Sequence, residues 1–304
     1  MTGHITAGDI LPLIYRNETT YGTPASGDPV YYADIKGDSG SFTPTDNPNP
    51  YIAWRSGGRA ADANNAVPQT LDAGFNDILE VRDTSGWSSI IFQAYNLFGL
   101  GSRTVEFLMH LPAGGGNYQI MTYPGCKTDR LEIRADQPGG VVEFSETVLA
   151  SDCQISRTQS TPDLPTIPDD PAVQWMGGVT FNGLTIYPQN LRLTIANNLG
   201  RVRGYDDTVQ RSITKELVDG RAEMELDFDV WMEDLNHIDQ AGCGYIEGTV
   251  PVVFTLGIQN PLRITAQCNY MGDGQLPSIS QDKQMETVRL RVFRLDLAFV
   301  TNGS

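Results

Sequence analysis

The sequence predicts a mainly β protein, on three observations. Residues 221–234, RAEMELDFDVWMED, alternate acidic and apolar side chains. Glu223, Glu225, Asp227 and Asp229 fall on one face and Ala222, Met224, Leu226 and Phe228 on the other, which is the two-residue period of a strand. Runs of the same period recur from residue 104 to residue 300. The 31 glycines and 18 prolines suit a turn-rich chain, while apolar residues at helical spacing are confined to short stretches. Four like charges along one strand face repel each other, so the acidic strand calls for an explanation.

In chain order, residues 8–24 (GDILPLIYRNETTYGTP) read as an extended arm broken by Pro12 and Pro24. Residues 36–70, rich in Gly, Pro, Asn, Ser and Asp, read as a long loop; loops of that length are functional or ordered by a partner. FNDILEVR (75–82) and WSSIIFQAYNLF (87–98) follow, the second compatible with a strand or a short helix. TVEFLMHL (104–111), the glycine tip AGGGN and YQIMTY (118–123) read as a hairpin. RLEIRA (130–135), the turn DQPGG and VVEFSETVLA (141–150) come next. Residues 156–174 are polar with four prolines and read as a linker. Beyond it lie GVTFNGLTIY, LRLTIANNL (191–199), the acidic strand, VPVVFTLG (250–257), LRITAQCNY (262–270) and ETVRLRVFRLDLAFV (286–300). In the last run Val288, Leu290 and Val292 share a face, whereas Leu295, Leu297 and Phe299 fall on the other, which predicts a bulge near Phe293. The helix candidates are DLNHIDQA (234–241) and parts of 205–218. The chain is expected to be one subunit, 1–304. LEIRA…VVEFSE (131–146) and LRLTI…EMELDF (191–228) echo each other, so a duplication into halves 1–155 and 177–304 joined by 156–174 is a second reading.

With 304 residues and 40 % hydrophobic content the chain can bury a sizeable core. The net charge is −16 and the pI about 4.5, with no clustered Lys or Arg. Tight binding to a nucleic-acid backbone needs such clusters, so this charge argues against ordinary nucleic-acid binding and leaves repulsion open. Asp outnumbers Glu (25 to 12) and Arg outnumbers Lys (17 to 4), as a high-salt habitat or a G+C-rich genome would produce. Cys126, Cys153, Cys243 and Cys268 form no C-x-x-C pair and are expected as free thiols rather than zinc ligands or a disulfide framework. The N-terminal segment lacks a basic and apolar signal pattern, and no stretch approaches 18 apolar residues, so no secretion signal or membrane span is expected.

Catalytic patterns are absent. His4, His110 and His237 have no second His at metal-ligand spacing, no G-x-S-x-G occurs, and Gly114–Gly116 do not continue into a Walker sequence. Acids at i and i+2 on a strand stand about 6.6–6.8 Å apart, within the range of an inverting glycosidase pair. Catalytic acids, however, face each other across a cleft, and these four lie in one line. No D-x-D-x-D-G calcium loop exists. Neither an enzyme activity nor a cofactor nor a metal is expected.

Three segments carry a resemblance. RNETTYGTPAS (16–26) resembles the E-x-T-Y-G-T-P opening of tailed-phage tail tube proteins. YPGCKTDRLEIRADQPGGVVEFSETVLA (123–150) resembles their G-C and G-G-x-V double strand. LRLTIANNLGRVRGYDDTVQRSITKELVDGRAEMELDFDVWMED (191–234) resembles their L-x-I-x-N-N-L strand, variable loop and G-R-x-E strand. The resemblance, spanning about 16 to 300, implies a β-sandwich subunit with a helix and a long loop, in which inner strands join around a ring into a barrel. Rings stack into a hollow virion tube, assembled in the host cytoplasm, that conducts viral DNA. It implies homo-hexameric rings, or trimers with pseudo-six-fold symmetry if the halves are duplicated. The implied partners are tail terminator, tail tip and tape measure proteins, with viral DNA in the lumen and no membrane. Glu223, Glu225, Asp227 and Asp229 are then expected to face the lumen, joined by Glu132, Glu143 and Asp136, as a carboxylate wall that repels phosphates. The rival readings are a tail terminator, tail-tip or decoration protein, a carbohydrate-binding β-sandwich, and a hydrolase using the acidic strand.

Overall fold

The computed structural model describes residues 13–25, 31–35, 42–44, 47–52, 66–80, 90–96, 99–111, 117–158, 174–181, 183–206, 211–231, 249–257, 261–271 and 285–299. In chain order its strands are β1 (Leu13–Asn17), β2 (Tyr31–Ile35), β3 (Phe42–Pro44), β4 (Asn47–Ile52), β5 (Ala66–Asp72), β6 (Gly74–Glu80), β7 (Arg103–Leu111), β8 (Asn117–Ala135), β9 (Glu143–Leu149) and β10 (Gln154–Thr158). They continue as β11 (Trp175–Phe181), β12 (Leu184–Ile186), β13 (Leu191–Ala196), β14 (Gly200–Asp206), β15 (Arg211–Val218), β16 (Glu223–Trp231), β17 (Val250–Leu256), β18 (Leu262–Tyr270) and β19 (Met285–Phe299). Residues 90–94 form a helical turn. Its Ile90, Ile91 and Ala94 are buried and Phe92 is exposed, the spacing of one apolar helix face. Of the two readings of 87–98, the helix holds.

The predicted hairpin is present, with β7 pairing antiparallel to β8. The expected separate strands 118–123 and 130–135, however, are one strand of 19 residues. Pro124 and Gly125 do not end it, because they sit in a bulge. Arg103 pairs with Cys126 and Val105 with Tyr123, so two residues of β8 oppose Thr104 alone. Gly125 takes φ +65°, open to glycine at no steric cost. Beyond the bulge β8 exchanges its partners. Its first half pairs with β7 and β10, its second with β9 and β13.

Two layers of pairing follow. The contacts β8–β7–β1–β2–β6–β9–β8 close into a hydrogen-bonded circuit. From the same β8, an antiparallel run extends outward as β13–β16–β19–β18–β17–β11–β12. A 15-stranded sheet thus contains strands from before and after residues 156–174, and a four-stranded sheet, β14–β15–β5–β4, lies beside it. One contiguous core runs from Tyr15, Phe75, Val105, Tyr123 and Phe144 inside the circuit to Trp175, Leu226, Phe254 and Leu290 under the run. Phe75 and Tyr123 meet edge to face, with centroids 5.2 Å apart.

Several expectations are corrected. Within the arm, Leu13–Asn17 is a paired strand between β2 and β7. Within the long loop, Phe42–Pro44, Asn47–Ile52 and Ala66–Asp72 are strands. Pro48 and Pro50 disguised β4, but it lies at a sheet edge, where a missing N–H is tolerated. The linker begins later than expected, since Gln154–Thr158 pairs with β8; residues 159–173 lie outside the described residues. The helix candidate in 205–218 is instead the hairpin β14–β15. Val202 pairs with Glu216 and Arg203 with Thr214, leaving Lys215 as a bulge. Buried Leu217 and Thr214 therefore stand three apart, a spacing that imitates a helix. The candidate at 234–241 and the glycines 114–116 lie outside the described residues. The bulge near Phe293 is found: Gln267 pairs with Arg294 and Cys268 with Val292, leaving Phe293 as the extra, exposed residue. Cys126 and Cys268 are buried free thiols and Cys153 is a half-buried one. No helix among the described residues is long and apolar enough to cross a membrane.

The small sheet is fastened at one joint. Ala73 alone separates β5 from β6, and the Arg201 guanidinium on β14 donates to the Ala73 carbonyl at 2.8 Å and the Ala150 carbonyl at 3.0 Å. Arg203 grips Asp72 through both carboxylate oxygens, at 2.7 and 2.9 Å.

Gly125→Ala tests the bend in β8. A Cβ there meets Ser151 Oγ at 2.7 Å and its Cβ at 2.8 Å, on a backbone that disfavours L side chains. The expected loss is about 1–3 kcal/mol, read as a lower urea midpoint at constant slope; an unchanged midpoint would mean the bend does not need glycine.

Candidate functional site

The acidic strand adopts the predicted alternation. Met224, Leu226, Phe228 and Val230 are buried, Glu223 and Glu225 exposed, and Asp227 and Asp229 half-buried on the opposite face. Ala222 falls before the strand and is exposed. Directly paired residues share a face, so the pairing registers define what surrounds each acid. Asp227 lies in a row that reads Glu143, Arg134, Arg192, Asp227, Arg289 across β9, β8, β13, β16 and β19. The next row reads Ser145, Glu132, Thr194, Glu225, Arg291. The third contains Thr147, Arg130, Ala196 and Glu223. Glu132 and Glu143 therefore share the face of the acidic strand, while Asp136 lies on the exposed turn after β8, ion-paired to Arg134.

These rows correct the picture of a wall made of carboxylates alone. Seven acids on this surface (Glu132, Asp136, Glu143, Glu223, Glu225, Asp227, Asp229) are interleaved with five arginines (Arg130, Arg134, Arg192, Arg289, Arg291). Arg192 donates to Glu132 at 2.7 Å, and Arg130 stands 3.8 Å from the same carboxylate. Cross-strand pairs of opposite sign offset the repulsion along β16. Asp229 is clamped: Asn190 Nδ2 donates to its carboxylate at 2.6 Å, Thr287 Oγ1 donates at 2.5 Å, and the Asp229 N–H donates to Asn190 Oδ1 at 2.8 Å. Partial burial pushes the Asp227 carboxyl above the usual range; Glu225 adds to this, and Arg289 and Arg192 oppose it. Among the described residues no three His, Cys, Asp or Glu side chains converge to hold a metal ion.

A second assembly of residues anchors the chain's first described segment. The Glu18 carboxylate accepts from the Gly125 N–H at 2.8 Å, the Thr104 hydroxyl at 2.8 Å and the Gly22 N–H at 3.0 Å. Glu18 thus ties the turn after β1 to the bulge of β8 and to β7. The Ser151 hydroxyl donates to the Pro124 carbonyl at 2.8 Å, completing the packing around Gly22 and Gly125. Burial raises the Tyr21 phenol well above its ordinary value, and Cys126 and Glu18 reinforce the shift. The motifs E-x-T-Y-G and P-G-C, a hundred residues apart in sequence, therefore interlock.

The third motif has the same character. Asn197 Nδ2 donates to the carbonyls of Thr128 (2.8 Å) and Ala94 (2.9 Å), fastening β13 to β8 and to the helical turn. Asn198 takes φ 51° and donates to the Arg221 carbonyl at 3.0 Å. A Cβ on Gly220 would stand 2.1 Å from the Asn198 carbonyl oxygen, so N-N-L and G-R-x-E meet in direct backbone contact. Asp219 accepts from Lys127 Nζ and from the Leu100 N–H, each at 2.8 Å.

A family model described as phage tail tube protein matches residues 12–299. The chain belongs to the phage tail tube protein family. Comparison with curated proteins gives no match. The tail tube protein is a non-enzymatic, structural component of the virion tail, and family membership implies that it assembles into the tube.

Sequence reasoning missed the arginines that share the acidic face. Arg130, Arg134 and Arg192 sit in RLEIRA and LRLTI at alternating positions, so their outward direction was legible. Their adjacency to β16 depends on strand order, which no local pattern reveals. Glu18→Ala in this tail tube protein removes one acceptor from three donors and is expected to lower stability by about 1–3 kcal/mol. Thermal unfolding checks it; an unchanged Tm would mean that solvent replaces the clamp without loss.

Proposed function

We propose that the protein forms six-subunit rings that stack into the tail tube, with the charged face of β9, β8, β13, β16 and β19 turned toward the lumen. In this reading each chain, 1–304, is one β-sandwich-type subunit whose inner strands join those of its neighbours into a ring-shaped barrel. Glu223, Glu225, Asp227 and Asp229 face the channel, with Glu132, Glu143 and Asp136 at its wall. Viral DNA and a tape measure protein occupy the lumen, and tail terminator and tail tip proteins cap the ends. The observation that carries the reading is the division of β16: one side is core and the other is charged and open to solvent.

The interleaved arginines refine the electrostatics. A surface of acids alone would repel phosphates strongly, whereas this one is charge-mixed with a small acidic excess. Such a wall offers DNA no continuous cationic track on which to stall. Rings of three chains with pseudo-six-fold symmetry are the other arrangement, if the echo between the halves is a duplication.

Negative-stain electron microscopy of the purified protein, with symmetry read from class averages, separates six chains from three. For the lumen, the double variant Glu223→Lys and Glu225→Lys is expected to leave tubes intact and to slow genome ejection from virions. Ejection at the unmodified rate would remove these residues from the channel wall.

A further inference from the structure

Strands of the closed circuit send an unbalanced set of ionisable side chains into its interior. Asp77 on β6 is 2 % exposed, and Arg103 on β7 and Glu146 on β9 are each 1 % exposed. The Arg103 guanidinium donates to Glu146 Oε2 at 2.8 Å and to the Thr128 hydroxyl of β8 at 3.1 Å. It also lies 4.8 Å from the centre of the buried Tyr15 ring of β1. Asp77 is the direct cross-strand partner of Glu146, and the Tyr15 hydroxyl and the Glu146 backbone lie against its carboxyl. Cys126 of β8 is buried near the same groups, and burial pushes its thiol far up, so it adds no charge.

One guanidinium therefore faces two carboxyl groups in a space closed to water. Two carboxylates directly opposite each other on paired strands repel. A buried charge without a counter-ion costs several kcal/mol, and the group neutralises instead. Arg103 hydrogen-bonds Glu146, which makes Asp77 the seat of neutralisation. The shifts agree: burial raises Asp77 well above the usual carboxyl range, Glu146 raises it further, and Arg103 offsets only part. Glu146 is also raised by burial, against the pull of Arg103. The two acids titrate as a pair.

We propose that the Asp77–Glu146 pair holds one proton, seated on Asp77, and that this proton locks β6 to β9 in the closed circuit. The unfolded chain at neutral pH carries both groups ionised, so folding takes up a proton. A carboxyl raised by folding contributes stability that is complete below its unfolded value, near 3.8 for Asp77, and is lost as pH rises through its folded value. Alkaline conditions therefore weaken the β6–β9 seam while the charged outer face stays ionised throughout.

The test is unfolding of the full-length, unassembled chain by calorimetry at pH 7, in two buffers of different ionisation enthalpy, which counts the protons exchanged. The unmodified protein is expected to release about one proton on unfolding, with a Tm that falls as pH rises from about 5 to 9. Asp77→Asn is expected to remove most of that release and flatten the pH slope. Release of no proton by the unmodified chain would overturn the proposal, and that reading stands even where the variant does not fold. Equal release by the unmodified chain and a folded Asp77→Asn variant would equally overturn it, since the proton would then sit elsewhere.

Discussion

The fold depends on one constraint: β8 serves two sheets. A strand pairs with at most two neighbours at any residue, so a strand that helps close the circuit and also starts an open run must exchange partners along its length. The bulge at Pro124 and Gly125 performs the exchange by bending the strand between its two halves. The polar contacts that fix this bend come from far away in sequence, from Glu18, Thr104 and Ser151. Elements that read locally as arm, hairpin and turn are therefore coupled through one short stretch of backbone.

This coupling explains the three motifs that mark the family. None of them carries chemistry. Glu18 accepts hydrogen bonds, Gly125 and Gly220 leave room for backbone and side-chain atoms, and Asn197 satisfies carbonyls that would otherwise be buried without donors. A structural protein is constrained where its chain segments cross, and its motifs are the crossings.

Strands with one buried face were legible in the sequence, since alternation alone placed β8, β9, β13, β16, β17 and β18 near their observed positions. Legibility failed where a bulge reset the period. Thr214 and Leu217 are both buried and three residues apart because Lys215 is extra, so β15 imitated a helix. The same device in β19 was recognised because its apolar runs are long enough on both sides of Phe293. β4 was hidden by prolines that an edge strand tolerates. For the charged face, the direction of each side chain followed from its parity within a strand, but the neighbours of the acids did not. Strand order is a non-local property, and it is strand order that places Arg192 and Arg289 on either side of Asp227.

The joint at Ala73 has a mechanical consequence. A sheet connected through a single residue would swing if that residue were its only attachment. Here Arg201 holds the carbonyl of the joint itself and Arg203 holds the residue before it. The four-stranded sheet is therefore a lever with a locked fulcrum. A push on its outer edge is not dissipated as rotation but is transmitted as torque into β6, and from there into the walls of the closed circuit.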